Sequence, residues 1–192
     1  MDKQPITEAD YQRAADVIGC DLAAIKAVVA VESNGRAFDA AGRPVALFEK
    51  HYFFRNLPEG ELRDRAVEAG LARPSYVPGD YPNGPDGVWA QIAAACEISE
   101  DAALQSVSWG LGQVMGTFWM QTDYPSIAAL VEAMWTSAAA QLDLMVAFIV
   151  KNNLQRYLIS QDWAGFARRY NGPAYATNRY DEKLAEAYAR FS

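Results

Sequence analysis

The sequence predicts a mainly α-helical protein with one small β-hairpin, folded as a single domain. The chain has 192 residues, of which 51% are apolar, so it can bury one substantial core. Apolar residues recur at helical spacing in most segments, as in the stripe of Leu142, Met145, Val146 and Ile149. The spacing is lost in 36–54, where a Gly-Arg-Pro turn precedes a short aromatic run that is typical of a hairpin or another extended segment.

Two helices are predicted before that extended segment. Thr7 and Asp10 have the spacing of a capping box, which begins a helix over 8–18. Asp21 is expected to cap the second helix, because Asp is a favoured residue at that position. Gly35 is expected to end this second helix, since glycine readily adopts the left-handed conformation found there.

Most of the remaining chain is also predicted to be helical. Residues 71–87 are the exception, because they contain four prolines and three glycines without any periodicity. We expect this stretch to form a long surface loop whose aromatic residues either anchor it or stack on a ligand. The further helices are expected over 59–69, 88–96, 99–107, 110–120, 125–134, 137–151, 160–172 and 178–190.

Composition excludes several classes of function. The formal net charge is -7 at pH 7 and no basic run is present, which argues against a nucleic-acid partner or an anionic lipid surface. A single histidine excludes multi-histidine metal sites, so no metal or cofactor is expected. Cys20 and Cys96 lie in apolar segments and are predicted to be free thiols rather than a disulfide. No segment has the pattern of a signal peptide or of a membrane span.

Glu32 is the residue that first indicates chemistry. It continues the spacing of the apolar residues on the second helix and therefore lies on the face that is expected to be buried. Burial disfavours the charged form of a carboxyl group and raises its pKa, which produces a proton donor near neutral pH. Glycoside hydrolysis requires such a general acid. The alternative is that Glu32, at the end of its helix, simply turns into solvent.

Three short motifs extend this interpretation. VESNG at 31–35, SWGLGQVM at 108–115 and RYNGP at 169–173 resemble the signature blocks of the lysozyme-like superfamily. Together with the blocks RPVALFEKHYFF and QLDLMVAFI, they resemble the phage-type N-acetylmuramidase family over roughly 8–190. The resemblance implies a lysozyme-like glycoside hydrolase fold, cleavage of the β-1,4 bond between N-acetylmuramic acid and N-acetylglucosamine, and Glu32 as the catalytic acid.

The resemblance also suggests residues that bind substrate. Gly112 lacks a side chain and lets the backbone approach a sugar, unless it only permits tight packing. The amide of Gln113 can both donate and accept a hydrogen bond to an N-acetyl group. Tyr170 and Asn171 are expected either to bind substrate or to hold Glu32, although simple turn chemistry also explains Asn171. Trp109 is a candidate for stacking on a sugar ring.

Glu49 is the candidate for a second catalytic carboxylate, because the family pattern also has Glu at this position. It is expected either to position water or to stabilise the transition state. The alternative is an ion pair with Lys50, Arg43 or His51. His51 titrates near neutral pH and is a candidate beside the substrate, although a lone histidine between aromatic residues is commonly packed and hydrogen-bonded. The sequence leaves open whether cleavage is retaining or inverting.

One position departs from the family pattern. Ala138 stands where the family often has Glu, so either that acid supports catalysis elsewhere in the family or the position is a solvated helix face. Two alternatives to a hydrolase therefore remain open: a lytic transglycosylase, and a weakened glycan-binding or effector domain of the same fold. A chitinase is also compatible with the sequence.

The leading hypothesis is an endolysin-like muramidase whose single catalytic domain spans 1–192, with no separate wall-binding module. The expected partner is peptidoglycan, without membrane insertion, and the expected state is a monomer. We expect synthesis in a bacterial cytoplasm without a signal peptide, followed by action at the cell wall after release.

Overall fold

The computed structural model describes residues 3 and 5–192. They divide into two compact units. The first unit contains the described residues up to Phe38, together with Gly110–Gly112 and Thr136–Ser192. The second unit contains Asp39–Trp109 and Gln113–Trp135. Most described residues are helical and the strands belong to one antiparallel sheet, so the predicted fold class is confirmed.

The described chain alternates long helical stretches with three short strands. In chain order, the helices are α1 (Glu8–Ile18), α2 (Leu22–Ser33), α3 (Lys50–Asn56), α4 (Glu61–Glu68), α5 (Gly84–Cys96), α6 (Glu100–Gln105), α7 (Ile127–Thr136), α8 (Ala138–Lys151), α9 (Gln155–Ile159), α10 (Trp163–Tyr170) and α11 (Tyr180–Phe191). Two 3₁₀ helices cover Gly116–Gln121 and Pro173–Ala176. The strands are β1 (Ala46–Phe48), β2 (Val107–Trp109) and β3 (Val114–Met115).

The first unit is built around α2. This helix packs against α1 and α11, while α8 packs against α1 and α10 packs against α11. Ile25 and Val28 of α2 are fully buried, and they belong to one core cluster with Leu142 and Met145 of α8. The apolar stripes predicted from the sequence therefore face this core. Removing such side chains from water is the main favourable contribution to folding.

The helix ends of the first unit follow the predicted caps in part. The hydroxyl of Thr7 accepts from the Asp10 N–H at 3.2 Å, and the Asp10 carboxylate accepts from the Thr7 N–H at 2.9 Å, which completes the capping box. Asp21 occupies the N-cap position of α2 but makes no cap hydrogen bond, because its carboxylate accepts from the Tyr188 hydroxyl instead. Asn34, in the left-handed conformation, ends α2 one residue before the predicted Gly35.

Two features of the first unit differ from the sequence prediction. The helix α9 lies in a stretch for which no helix was predicted. The next helix, α10, begins after Asp162 rather than at Ser160, because the Asp162 carboxylate accepts from the Gly165 N–H at 2.8 Å.

The second unit contains the sheet, and the stretch 36–54, predicted to be a hairpin or another extended segment, contributes an extended strand to it. That stretch supplies one strand, β1, and most of the helix α3. β1 pairs antiparallel with the distant β2, with Ala46 opposite Trp109 and Phe48 opposite Val107. β2 in turn pairs with its neighbour β3. Local turn signals do not reveal a strand partner that lies about sixty residues away along the chain.

The prediction of a helix over 110–120 is wrong. Gly110 and Gln113 have φ angles of 67° and 47°, so the backbone turns between β2 and β3 instead of continuing as a helix. A 3₁₀ helix follows only at Gly116.

The proline-rich stretch is shorter than predicted, since α5 already begins at Gly84 with Pro85 in its first turn. The remaining loop is tied down by Asp80, which forms ion pairs with Lys50, at 3.1 Å, and with Arg73.

The cysteines agree with the predicted free thiols. Cys20 and Cys96 are free thiols, and both are partly buried rather than fully buried. Burial raises the pKa of Cys20 to about 11. Every helix in the described part of the chain is too short or too polar to cross a bilayer.

Candidate active site

Glu32 lies in the last turn of α2, directly after the fully buried residues of that helix. Val28 and Val29 are 0% and 1% exposed, and the Glu32 side chain itself is partly buried. The Gly35 N–H donates to the Val29 carbonyl at 3.2 Å, which closes the helix end beside the carboxyl group. Burial raises the pKa of Glu32 to about 7, so a large fraction of this carboxyl is protonated at neutral pH. The solvent-facing alternative is therefore not what the structure has.

Asn171 is the hydrogen-bond partner of this carboxyl. It follows α10 directly, and its side-chain Nδ2 donates to Glu32 Oε1 at 2.9 Å. This bond favours the charged form and lowers the pKa of Glu32, but the effect of burial is the larger one. Within the described residues, Oε2 of Glu32 has no hydrogen-bond partner. The amide thus fixes one carboxyl oxygen and leaves the other available to carry a proton.

Tyr170 holds the backbone near the site rather than Glu32 itself. Its hydroxyl donates to the Gly112 carbonyl at 2.6 Å, and its ring stacks on Phe166 with centroids 5.1 Å apart. Burial and, to a smaller extent, the charge of Glu32 raise the pKa of Tyr170 well above its ordinary value. The phenol therefore stays a neutral hydrogen-bond donor.

Gly112 is required by packing. A Cβ atom at this position would lie 2.7 Å from the Met145 side chain and 2.9 Å from the Tyr170 hydroxyl. Such distances are shorter than van der Waals contact, so the side chains of Met145 and Tyr170 occupy the space that a larger residue would need. Of the two interpretations of Gly112, tight packing is the one that the structure has.

Glu49 is the central carboxyl of a cluster in the second unit. It precedes α3, and its side chain is 14% exposed. The Tyr81 hydroxyl donates to Oε1 at 3.0 Å, and His51 Nδ1 lies 3.3 Å from Oε2. Burial raises the pKa of Glu49, and the Tyr81 hydrogen bond opposes that rise. One oxygen of this carboxyl therefore accepts a hydrogen bond from Tyr81, and the other lies close to the His51 imidazole.

The cations near Glu49 in the sequence form ion pairs with other carboxylates. Lys50 pairs with Asp80, and Arg43 pairs with Asp39 at 2.7 Å, so neither cation neutralises Glu49. Burial, with a smaller effect of Arg55, lowers the pKa of His51. The imidazole is therefore mostly neutral near pH 7, so its 3.3 Å contact with Glu49 is not a strong ion pair.

Two other predicted site residues belong to the second unit, Trp109 at the end of β2 and Gln113 in the turn directly before β3. Gln113 Oε1 accepts from the Ser108 hydroxyl at 3.0 Å, and its Nε2 lies 3.5 Å from the Val45 carbonyl. Trp109 is only 1% exposed, and its indole N–H donates to the Leu104 carbonyl at 3.0 Å. The predicted stacking of Trp109 on a sugar is wrong, because β2 is buried along its whole length and the ring lies in the core.

The family of the chain is identified by comparison with known proteins. A sequence model of the N-acetylmuramidase family matches residues 21–192. The chain belongs to this family. It is therefore a glycoside hydrolase that acts on peptidoglycan. No curated protein sequence matches the chain.

A solved structure is similar to the whole length of this muramidase chain. It is described as the crystal structure of Burkholderia AP3 phage endolysin, and the sequences are 41% identical. The match has a TM-score of 0.88 and covers 100% of this chain and 73% of that chain. The lysozyme-like fold implied by the sequence motifs is thereby confirmed.

Sequence reasoning missed the role of Tyr81 in the muramidase. The sequence indicates only a loop anchor or a stacking residue, yet the Tyr81 hydroxyl contacts Glu49. No local pattern indicates this contact, because the two residues lie 32 positions apart and the loop between them lacks periodicity.

Ala138, at the start of α8, is 2% exposed, so the interpretation of this position as a solvated helix face is wrong. Among the described residues, no group of three or more His, Cys, Asp or Glu side chains has the geometry to hold a metal ion.

Proposed function

We propose that this muramidase cleaves the β-1,4 bond between N-acetylmuramic acid and N-acetylglucosamine, and that Glu32 is the general acid. The observation that carries the proposal is a carboxyl whose pKa is raised by burial to about 7. Such a group holds its proton near neutral pH and can transfer it to the departing glycosidic oxygen. Oε2, which has no hydrogen-bond partner within the described residues, is the atom that we assign to carry this proton.

Asn171 and Tyr170 are proposed to support this acid. The Nδ2 group of Asn171 fixes Glu32 Oε1 at 2.9 Å, so the proton-bearing oxygen keeps one orientation. When the proton has left, the same hydrogen bond stabilises the carboxylate that remains. Tyr170 holds the Gly112 carbonyl at 2.6 Å and keeps the neighbouring backbone in place.

Glu49 is proposed to act as the second carboxylate, which positions water or stabilises positive charge on the sugar. Its two oxygens are oriented by Tyr81 and His51, so the carboxyl has a defined direction. Each carboxylate oxygen keeps a further lone pair for a water molecule. We assign His51 a supporting role at Glu49, and Gln113 a contact with an N-acetyl group of the substrate.

The whole chain is proposed to serve as one catalytic module. The family match runs through both compact units, which supports this interpretation. We further propose that the protein acts as a monomer on glycan strands, and that it is made in a bacterial cytoplasm and reaches the wall after release.

The decisive experiment digests purified peptidoglycan sacculi with the wild-type protein and with Glu32→Gln. Mass spectrometry of the released fragments identifies the new chain ends. Reducing N-acetylmuramic acid ends are expected with the wild-type protein and none with the variant. Anhydromuramic ends would instead identify a lytic transglycosylase, and binding without any new ends would identify a glycan-binding domain.

A further inference from the structure

A short backbone segment of the first unit, Gly110–Gly112, is held from two sides, and we call it the glycine strap. Tyr170 holds one end of it by donating to the Gly112 carbonyl at 2.6 Å. Gln141 of α8 holds the middle, because its Oε1 accepts from the Leu111 N–H at 3.0 Å. The two contacts restrain consecutive residues of the strap.

Gln141 is unusual among the polar residues of this unit. It is 1% exposed, and it lies on α8 between residues that form the hydrophobic core. An amide is costly to bury unless it is hydrogen-bonded, so this position requires a specific partner. The Leu111 N–H is such a partner, and without Gln141 this buried donor would lose its acceptor.

The backbone of the strap is shaped to receive this amide. Gly110 has a φ angle of 67°, which glycine adopts without strain. A Cβ atom at Gly110 would lie 2.6 Å from Gln141 Oε1. The side chain of Gln141 therefore packs directly on the Gly110 backbone, and any larger residue there would displace one of the two.

The contacts continue from the strap to the catalytic acid. Tyr170, which bonds to the strap, is followed in the chain by Asn171, which donates to Glu32 Oε1 at 2.9 Å. Every step from Gln141 to Glu32 lies within the first unit. A shift of the strap would move the Tyr170 hydroxyl. It would thereby also move the neighbouring Asn171 amide, which orients the Glu32 carboxyl.

We propose that Gln141 is a positioning residue for the cleavage reaction. Gln141 fixes the strap, and the strap in turn holds Tyr170. Asn171, the next residue in the chain, then orients the Glu32 carboxyl. This inference rests on the proposed role of Glu32 as general acid. In this proposal Gln141 acts through its hydrogen bond with the backbone N–H of Leu111. Misplacing a reacting group by about 1 Å can lower a rate by about a hundredfold, so a distant contact of this kind is sufficient.

The test measures kcat and KM of Gln141→Met on peptidoglycan at 25 °C. Methionine keeps approximately the size of glutamine but does not offer the oxygen acceptor. We expect kcat to fall about 10- to 100-fold, because the acid loses its orientation. KM is expected to stay within about threefold of its original value, since the lost interaction acts in the transition state.

Two further variants separate positioning from a general loss of stability. Gln141→Glu keeps an oxygen acceptor for the Leu111 N–H and is expected to retain kcat within about threefold at pH 5.5, where a buried carboxyl stays largely protonated. Gln155→Met is the matched control, because Gln155 is an amide of the same unit whose Oε1 is buried without a partner among the described residues. It is expected to leave kcat unchanged.

A double-mutant cycle with Tyr170→Phe tests whether both side chains act through the strap. If they do, Gln141→Met lowers kcat less in the Tyr170→Phe background than in the wild-type protein. Fully additive effects would contradict the proposal, as would a Gln141→Met protein that melts at a lower temperature but keeps kcat within about twofold when folded. If Gln141→Met does not fold, a loss of more than about tenfold in kcat by folded Gln141→Glu would overturn it.

These experiments distinguish a failure of the inference about Gln141 from a failure of the proposed function. Turnover by folded Glu32→Gln would remove the general acid itself, whatever Gln141 does. An inactive Glu32→Gln together with a fully active Gln141→Met would remove only the inference about Gln141.

Discussion

The carboxyl group of Glu32 in the first unit and that of Glu49 in the second are both partly buried, but they are held differently. Glu32 is bonded on one oxygen by a neutral amide, and the effect of burial dominates its pKa, which rises to about 7. Glu49 faces a hydroxyl on one oxygen and an imidazole on the other. Burial raises the pKa of both carboxyls, and in each case a hydrogen bond opposes the rise, from Asn171 at Glu32 and from Tyr81 at Glu49. The two groups therefore differ in the donors that hold them and not in the direction of their pKa shifts.

The strongest test of this difference exchanges the two carboxyls for amides. Glu32→Gln is expected to lower kcat about 100- to 10,000-fold, because the amide has no proton to transfer. Glu49→Gln is expected to lower kcat by only about tenfold, if it positions water rather than donating the proton. The release of soluble fragments from sacculi measures both, and equal losses would show that the two carboxyls do not have separate roles.

The partner of the acid provides the second test. Asn171→Ala is expected to lower kcat about 10- to 100-fold, because Glu32 loses the hydrogen bond that orients it. The same bond favours the carboxylate, so its loss raises the pKa of Glu32 further and shifts the alkaline limb of the pH profile to higher pH.

Asn152→Ala is the control for that variant, because Asn152 follows α8 as Asn171 follows α10 and donates to the Phe148 backbone carbonyl instead of to a carboxyl group. An alkaline limb that moves to lower pH in Asn171→Ala would contradict the assignment.

Thermodynamic stability gives a third test. The pKa of Glu32 is raised from 4.5 to about 7 on folding, so its contribution to stability is present below pH 4.5 and is lost as the pH rises through 7. Glu32→Gln removes the buried charge and is expected to raise the free energy of unfolding at pH 8 by about 3 kcal/mol relative to wild type. The gain should largely disappear at pH 4.5. Denaturant titrations at the two pH values measure it, and an equal gain at both would contradict the buried charge.

The smallest expected effect concerns Glu49. Tyr81→Phe removes a donor that lowers the pKa of Glu49, so the acidic limb of the pH profile should move to higher pH while kcat at the optimum falls about two- to fivefold. Tyr11→Phe, a change of the same kind in the first unit, is the control and should leave the profile in place. An unchanged acidic limb in Tyr81→Phe would assign that limb to another group.

The parts of the fold that sequence predicts are those that depend on neighbouring residues. The capping box of Thr7 and Asp10 and the apolar stripe of α8 need only residues within one or a few turns, and both are present. The pairing of β1 with β2 depends on a contact between distant segments, which local patterns in the sequence do not indicate. The helix predicted over 110–120 was wrong, because the chain turns at Gly110.

The same division applies to the candidate site. The position of Glu32 on an apolar helix face follows from local spacing. Its contact with Asn171 joins residues 139 positions apart, so the sequence offered it only through the family motifs and as one of several alternatives. The contact of Tyr81 with Glu49 has neither a motif nor a periodic pattern, and only the structure reveals it.

The central claim is that the Glu32 carboxyl keeps its proton near neutral pH. The most direct measurement is an NMR titration of the protein labelled with ¹³C at the glutamate side-chain carboxyls, with Glu32→Gln used to assign the signal. We predict one resonance that titrates at about 7 and is missing from the variant. A Glu32 resonance that titrates near the ordinary value of about 4.3 would contradict the account.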